Sequence, residues 1–170
     1  WCTEAVYERV QGVIDVVSGY TGGTRANPTY RQVSYGQTNH AEAVRVVYDP
    51  EVVSYKELVE FFFASHDPTQ LNRQGPDVGK QYRSGIFYKN DEEASIARSV
   101  KKELDDSGKY SKPIVTEITP YDKFWMAEDY HQNYYEIHPN DSYIRSVSRP
   151  KVEKFMKEYR DKLKPEYKKG

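Results

Sequence analysis

The stretch that decides the fold is residues 40–66, "HAEAVRVVYDPEVVSYKELVEFFFASH". Its first part, 40–48, is rich in valine and alternates in polarity, which is typical of a β-strand with one buried face. The Asp-Pro pair at 49–50 ends that strand, because proline has no backbone N–H to donate. Ser54 and Glu57 then match the Ser-x-x-Glu capping box, which predicts a helix beginning at residue 55.

Further helices and strands flank this unit in alternation. The sequence predicts helices at 3–11, 91–108, 127–136 and 149–163, strands at 13–20, 84–88 and 113–119, and a long loop at 22–39. At 170 residues the chain is long enough to bury a substantial core, and we expect one domain. The alternation favours an α/β or α+β sandwich with helices packed on a sheet.

The composition argues against several classes of protein. The 25 Lys+Arg nearly balance the 26 Asp+Glu, and a net charge of −1 argues against a nucleic-acid-binding protein. No apolar run approaches the roughly 20 residues that a membrane helix needs. The single cysteine excludes an internal disulfide, and the four histidines lack the spacing of metal ligands. We expect a monomer with no bound cofactor, no metal and no nucleic-acid or membrane partner. Its expected location is the cytoplasm, and a secreted or periplasmic location remains the alternative.

One residue of the strand 40–48 is unusual for its position. Glu42 shares a strand face with Val44 and Val46, so its carboxylate points to the side that the strand is expected to bury. A buried carboxylate is costly unless it is paired or protonated. Two interpretations remain: a strand-end glutamate that reaches solvent, or a carboxylic acid with a raised pKa that donates a proton.

The loop at 73–84, "RQGPDVGKQYRS", carries more polar side chains than a connection requires. Asp77 and Tyr82 lie five residues apart in it, and loops on a rigid scaffold often carry binding groups. The chain also has 16 tyrosines, whose rings can pack while their hydroxyls line a polar cleft. From the residues alone, ordinary half-buried packing remains the simpler interpretation for Tyr82 and for Tyr30.

Several longer segments, in this order, resemble a known family. They are "SGYTGG", "NPTYRQV", "HAEAVRVVYDP", "HDPTQLNRQGPDVGKQYRS" and "FWMAEDYHQNYY". Together they resemble the A-type peptide methionine-S-sulfoxide reductases (MsrA) from Trp1 to about Tyr135, whereas the tail from about 140 matches poorly. The resemblance implies an α+β, ferredoxin-like βαββαβ sandwich with extra loops and a C-terminal helix, and with helices 3–11 and 54–65 on one face of the sheet.

The resemblance also implies a reaction, the thiol-dependent reduction of methionine S-sulfoxide, free or in oxidised proteins. A thiolate attacks the sulfoxide sulfur, and the departing oxygen must be protonated, so the site needs an acid and hydrogen-bond donors. By resemblance Glu42 is the acid, and Tyr30 and Tyr82 donate to the sulfoxide oxygen. Asp77 would position the thiol or a water. Thioredoxin or a small thiol would be the external reductant.

The first residues match the end of the family's Gly-Cys-Phe-Trp motif. Trp1 takes the place of its tryptophan, which helps to bind the methyl group of the substrate. The nucleophilic cysteine and the strand that carries it are then expected upstream of Trp1. Cys2 would complete a Cys-x-x-Cys spacing, and it is either a resolving thiol or a small helix-start residue with no redox role.

Two other functions remain open from the sequence. If no cysteine precedes Trp1, the chain could be a non-catalytic module that binds methionine sulfoxide. A cysteine hydrolase that pairs Cys2 with a histidine is the weaker alternative, because no orienting Asn or Asp pattern accompanies it. Sulfoxide binding without turnover would indicate the module, and turnover of an acyl substrate the hydrolase. His131 and Asp129 lie in a matching segment and either line the cleft or only brace it.

Overall fold

The computed structural model describes residues 2–168, with side chains from Thr3 onward. Trp1 and the side chain of Cys2, two of the predicted site elements, therefore lie outside the described residues. Within this range the helices are α1 Cys2–Glu8, α2 Tyr30–Ser34, α3 Tyr55–Ala64, α4 Asp91–Asp106, α5 Tyr134–Ile137 and α6 Arg149–Glu158. The strands are β1 Val13–Thr21, β2 Ala41–Tyr48, β3 Arg73–Gln74, β4 Asp77–Val78, β5 Gly85–Tyr88, β6 Glu117–Pro120 and β7 Phe124–Met126. Between residues 2 and 168, no helix is long and apolar enough to cross a membrane.

The unit of β2 and α3 has the predicted form. The N-cap Ser54 accepts a hydrogen bond from Glu57 N at 3.1 Å, and Glu57 Oε1 accepts one from Ser54 N at 3.2 Å. This reciprocal pair satisfies two of the backbone donors that a helix start leaves without intrahelical partners. The predicted capping box is thus confirmed, and α3 begins at residue 55 as expected.

Other boundaries differ from the predictions. The predicted loop 22–39 contains α2, which is too short to show a hydrophobic period but has its own capping box between Thr29 and Gln32. The predicted helix 127–136 is split into a 3-10 turn and α5, because Asn133 takes a left-handed backbone conformation with φ of 55°. The predicted helix 3–11 ends earlier, at residue 8.

Two of the later predictions also need correction, and one strand was missed. The strand predicted at 113–119 pairs only from Glu117 onward, as β6. The strand β7 was not predicted, since its three residues are too few for an alternating pattern. The helix predicted at 149–163 ends at Glu158, and a π-helical turn at 144–148 precedes it.

The strands belong to three small sheets. β1 pairs antiparallel with β2 on one side and with β7 on the other, β5 pairs parallel with β6, and β3 and β4 form a hairpin. Mixed helix and strand content is confirmed, whereas a ferredoxin-like βαββαβ order is not. The edges of β2 and β5 line a common groove of about 650 Å³. Neither edge has a further strand partner among the described residues, and the additional strand that the resemblance implies stays a prediction.

The helices pack on the inner face of β1 and β2. The largest buried cluster joins α1, α3 and α6 to this face, and includes Val6, Val16, Leu58, Phe61, Val152 and Phe155. A second cluster joins α3 to α4 and to residue 114, ahead of β6. Apolar burial in these clusters fixes β2 between β1 and α3. A polar side chain on the inner face of β2 therefore has a defined position.

Candidate active site

A cleft of about 630 Å³ lies at the N-terminal end of β2. Its walls come from α2, β2, the β3–β4 hairpin, the 3-10 turn at 80–82, and the later segments 130–135 and 141–151. The four described residues that the sequence singled out all line it: Tyr30, Glu42, Asp77 and Tyr82. Thr3 lines it as well, which brings the start of α1 to the cleft. The structure therefore brings these residues together, while their chemical roles remain predictions.

Glu42 lies on the inner face of β2, as its position in the strand predicted. It stands opposite Tyr20 in the β1–β2 register, and Val44 opposite Ser18, while Arg45 on the other face is exposed. Burial raises the pKa of Glu42 to about 7, and the nearby charge of Asp77 also raises it. The carboxyl is therefore partly protonated near neutral pH, which favours an acid over a strand-end carboxylate that reaches water.

The two predicted phenols face the same cleft. Burial is the main cause that raises the pKa of Tyr82 to about 12, and the charges of Glu42 and Asp77 add to it. The pKa of Tyr30 is also raised, again by burial first and then by Glu42. Both hydroxyls thus keep their protons at neutral pH and can donate hydrogen bonds to an oxygen in the cleft.

Asp77 is held by a residue from the C-terminal part of the chain. It lies in the β3–β4 hairpin, and its Oδ2 accepts a hydrogen bond from the Tyr143 hydroxyl at 2.5 Å. Lys151 Nζ donates to Gln74 Oε1 in the same hairpin at 3.3 Å. Contacts with the segment 141–151 therefore position the loop that carries Asp77 and leads to Tyr82.

One wall of the cleft is aromatic. It combines His131, for which the sequence left lining or bracing open, with Tyr130, Tyr134 and Tyr143, which the sequence did not single out. The ring of His131 lies between Tyr30, at a centroid distance of 4.0 Å, and Tyr130, at 4.1 Å. Tyr134 and Tyr143 continue this wall. His131 thus lines the cleft, whereas the exposed Asp129 is not among the lining residues. In the sequence, only the high tyrosine content indicated such a wall, and a composition does not show which tyrosines form it.

A second histidine of the cleft is held in its neutral form. His66 Nδ1 lies 2.7 Å from the Phe62 carbonyl oxygen, and Nε2 lies 2.7 Å from Ser84 Oγ. Burial lowers the pKa of His66 to about 4. Both ring nitrogens thus have protein partners, so His66 supports the wall and has no nitrogen left for a metal. Across the described residues, no three His, Cys, Asp or Glu side chains form a metal-binding group.

Comparisons with known proteins point to one family. The family model "Peptide methionine sulfoxide reductase" matches residues 1–164. The peptide methionine sulfoxide reductase MsrA of Polynucleobacter asymbioticus is 50% identical over 167 residues, which covers 98% of this chain and 88% of that protein. Mxr1 from Saccharomyces cerevisiae in reduced form superposes with a TM-score of 0.75 at 37% identity, covering 83% of this chain and 81% of Mxr1. Methionine sulfoxide reductase A of Corynebacterium diphtheriae superposes with a TM-score of 0.74 at 40% identity, covering 82% of this chain and 70% of that protein.

The extent of the family match corrects one expectation from the sequence. The match does not stop near Tyr135 but continues through the tail to residue 164. The structure gives a physical reason, because this tail supplies Tyr143, Lys151 and other residues of the cleft wall. The chain belongs to the peptide methionine sulfoxide reductase family.

Proposed function

We propose that this chain reduces methionine S-sulfoxide to methionine, as the free amino acid or within oxidised proteins, with thiols as the source of electrons. Membership of the family supports the reductase activity. The observation that carries the proposed mechanism is Glu42, a carboxyl whose pKa is raised to about 7 in a cleft that it shares with the phenols of Tyr30 and Tyr82.

The first proposed step transfers the sulfoxide oxygen to a thiol. A thiolate attacks the sulfoxide sulfur, and Glu42 gives its proton to the oxygen as charge develops there. The oxygen then forms a bond to the attacking sulfur as its bond to the substrate sulfur breaks. The two sulfurs separate, methionine leaves, and the attacking sulfur becomes a sulfenic acid. The substrate sulfur gains two electrons and the thiol sulfur loses two. By resemblance, the attacking thiol belongs to a cysteine two positions before Trp1.

Two further steps restore the enzyme. A second thiol condenses with the sulfenic acid, which releases water and forms a disulfide. A thioredoxin-like dithiol or a small thiol then reduces that disulfide by thiol–disulfide exchange, and Glu42 regains a proton from solvent. The resemblance offers Cys2 as the second thiol, and Trp1 as part of the pocket for the substrate's methyl group.

The remaining residues of the cleft stabilise the charge that forms on oxygen. Protonated Tyr30 and Tyr82 would donate to the sulfoxide oxygen, and such donors act most strongly in a site from which water is excluded. Asp77 would position the thiol or a water. Its negative charge also raises the pKa of Glu42, so it favours the protonated acid that the first step consumes.

An assay of the two sulfoxide epimers tests this function. The full-length protein, with dithiothreitol as reductant, should convert the S epimer of N-acetylmethionine sulfoxide to N-acetylmethionine and leave the R epimer unchanged. Chiral chromatography of the remaining sulfoxide measures both. Equal consumption of the two epimers, or consumption of neither, would overturn the proposal.

The activity should fall at alkaline pH because the acid must carry its proton. The pKa of Glu42 is raised from its ordinary 4.5 to about 7, so the protonated fraction is nearly complete at pH 5 and is lost as the pH rises through 7. We expect kcat/KM for the S epimer to fall about tenfold per pH unit above this value. A profile that stays level from pH 6 to pH 9 would remove Glu42 as the proton donor.

Replacement of Cys2 should separate the first reduction from recycling. If Cys2 resolves the sulfenic acid, Cys2→Ser should still give a burst of one methionine per enzyme, but slow turnover with thioredoxin. Dithiothreitol should restore much of the rate, since a small thiol can attack the sulfenic acid directly. Rapid-quench measurement of the burst checks this, and recycling with thioredoxin at the wild-type rate would make Cys2 a purely structural residue.

A further inference from the structure

Glu128 connects three parts of the molecule through one carboxylate. Its Oε1 accepts a hydrogen bond from the Tyr20 hydroxyl of β1 at 2.9 Å. Its Oε2 accepts one from the backbone N–H of Tyr30 at 3.0 Å, and a longer one from the Tyr130 hydroxyl at 3.4 Å. Glu128 is not among the residues that line the cleft, so it reaches the site only through these neighbours.

The segment that carries Glu128 is itself fixed to the sheet. Ala127 N donates to the Ser18 carbonyl oxygen at 2.9 Å. Gln132 Nε2 donates to the same oxygen at 2.8 Å, and Gln132 Oε1 accepts from Ser18 N at 2.9 Å. Ser18 lies in the middle of β1 and is fully buried. Glu128 therefore projects from a segment that the central sheet holds at both ends.

Tyr30 is then held at two points by this one segment. Glu128 binds its backbone N–H, and His131 packs on its ring. Tyr30 is the first residue of α2, and the Glu128 carboxylate accepts the hydrogen bond of its backbone N–H at this helix start. Partial burial alone would raise the pKa of Glu128, but the donors from Tyr30 and Tyr20 lower it, which keeps the carboxylate charged.

We infer that Glu128 is a positioning residue, which acts on the reaction by fixing the Tyr30 phenol at the sulfoxide oxygen. This inference rests on the proposed function, in which Tyr30 and Tyr82 share that oxygen. Catalytic donors work only when held within a fraction of an ångström of their productive place. Without the carboxylate, Tyr30 keeps its contact with His131 but loses the anchor at its backbone.

A set of coupled variants tests this role. Glu128→Ala should lower kcat about fivefold in the wild type, because Tyr82 partly covers for a misplaced Tyr30. In a Tyr82→Phe background the same replacement should lower kcat by about fiftyfold, since Tyr30 is then the remaining one of the two proposed donors. In a Tyr30→Phe background it should have less than about a twofold effect, because Glu128 has no phenol left to position. KM should change little throughout, as the donor acts mainly in the transition state.

Two matched variants separate positioning from a general loss of structure. Glu128→Gln keeps an oxygen that can accept from the Tyr30 N–H, so it should restore most of the rate that Glu128→Ala loses. Glu136→Ala removes a carboxylate from the adjoining segment, where it pairs with Arg9 outside the cleft. Its effect on kcat should be small and equal in all three backgrounds.

Amide hydrogen exchange gives a readout that does not need activity. The Tyr30 N–H should exchange faster in Glu128→Ala than in the wild type or in Glu128→Gln. An equal loss of kcat from Glu128→Ala in the Tyr30→Phe and Tyr82→Phe backgrounds would overturn the inference, and so would unchanged exchange at Tyr30. Failure of the wild type to reduce the S epimer would instead overturn the proposed function. The exchange rate of the Tyr30 amide would still show whether Glu128 holds the backbone of Tyr30.

Discussion

Replacement of Glu42 with glutamine should lower the turnover of methionine S-sulfoxide by about 10²-fold or more, which is the usual worth of a general acid. Glutamine has nearly the same size and polarity, but it has no proton to give to the departing oxygen. A 10²-fold loss corresponds to about 2.7 kcal/mol of transition-state stabilisation. Steady-state kinetics with the S epimer near pH 6, where wild-type Glu42 is protonated, measure the loss.

The same replacement should leave the fold intact, and its effect on stability has a defined sign. The pKa of Glu42 is raised in the folded protein from 4.5 to about 7, so protonation stabilises the fold at low pH, and that contribution is lost as the pH rises through this window. The melting temperature of the wild type relative to Glu42→Gln should therefore decrease from pH 5 to pH 8. Comparison of the two proteins cancels the contribution of Glu8, whose pKa burial also raises to about 7.

A carboxylate just beyond the same strand provides the matched control. Glu51 follows β2 and is exposed, so Glu51→Gln should leave the turnover unchanged. Wild-type turnover in Glu42→Gln, with a similar melting temperature, would show that Glu42 is only a residue near the end of a strand. The acid would then have to be sought among the other groups of the cleft.

The parts of the fold that the sequence predicted are those with local signals. The helix α3 begins where Ser54 and Glu57 cap it, and both residues lie within one turn of each other. The inward position of Glu42 follows from the alternation along β2 alone, because neighbouring residues of a strand point to opposite faces. Neither conclusion needed information about distant parts of the chain.

The parts that were missed depend on partners far away in the sequence. The three residues of β7 are a strand only because they pair with residues 19–21 of β1, about a hundred positions earlier. The contact between Tyr143 and Asp77 spans 66 positions, and that between Tyr30 and Glu128 spans 98. No local sequence pattern predicts such contacts, because these elements form only through tertiary packing with distant residues.

The candidate site shows the same division. Glu42 stood out by its own position, whereas the roles of Tyr30, Tyr82 and Asp77 came from the resemblance. The structure adds that these four residues line one cleft, and that the tail beyond residue 140 helps to enclose it. Glu128 does not line the cleft, and no pattern in the sequence distinguishes it from the other glutamates of the chain.

Replacement of both Tyr30 and Tyr82 with phenylalanine should cost far more turnover than the two single replacements predict together. Each single variant should lose only a few-fold, because the other phenol still donates to the sulfoxide oxygen. With both hydroxyls removed, the oxygen loses both of its proposed phenolic donors, and the loss should reach about 10²- to 10³-fold, as for other oxyanion donors. Steady-state kcat for the four proteins of the double-mutant cycle measures the coupling.

The rings that remain in the double variant make this test specific for the hydroxyls. Phenylalanine keeps the packing between residue 30 and His131, whose ring centroids lie 4.0 Å apart in the wild type, so the cleft should keep its shape. Tyr110→Phe is the matched control. The Tyr110 hydroxyl donates a hydrogen bond to the Phe63 carbonyl oxygen over 3.4 Å, and Tyr110 is not among the residues that line the cleft. This replacement should leave kcat unchanged.

Non-additivity is the expected result because both phenols serve one atom. Their pKa values are raised, that of Tyr82 to about 12, so each still holds its proton through the pH range of the assay and can replace the other as donor. Residues that act on separate groups would instead give losses that multiply, since independent sites contribute additive free energies. If the double variant lost no more than the product of the two single losses, the phenols would not share the sulfoxide oxygen. In that case only one of them, or neither, would stabilise the charge that develops when the sulfur–oxygen bond breaks.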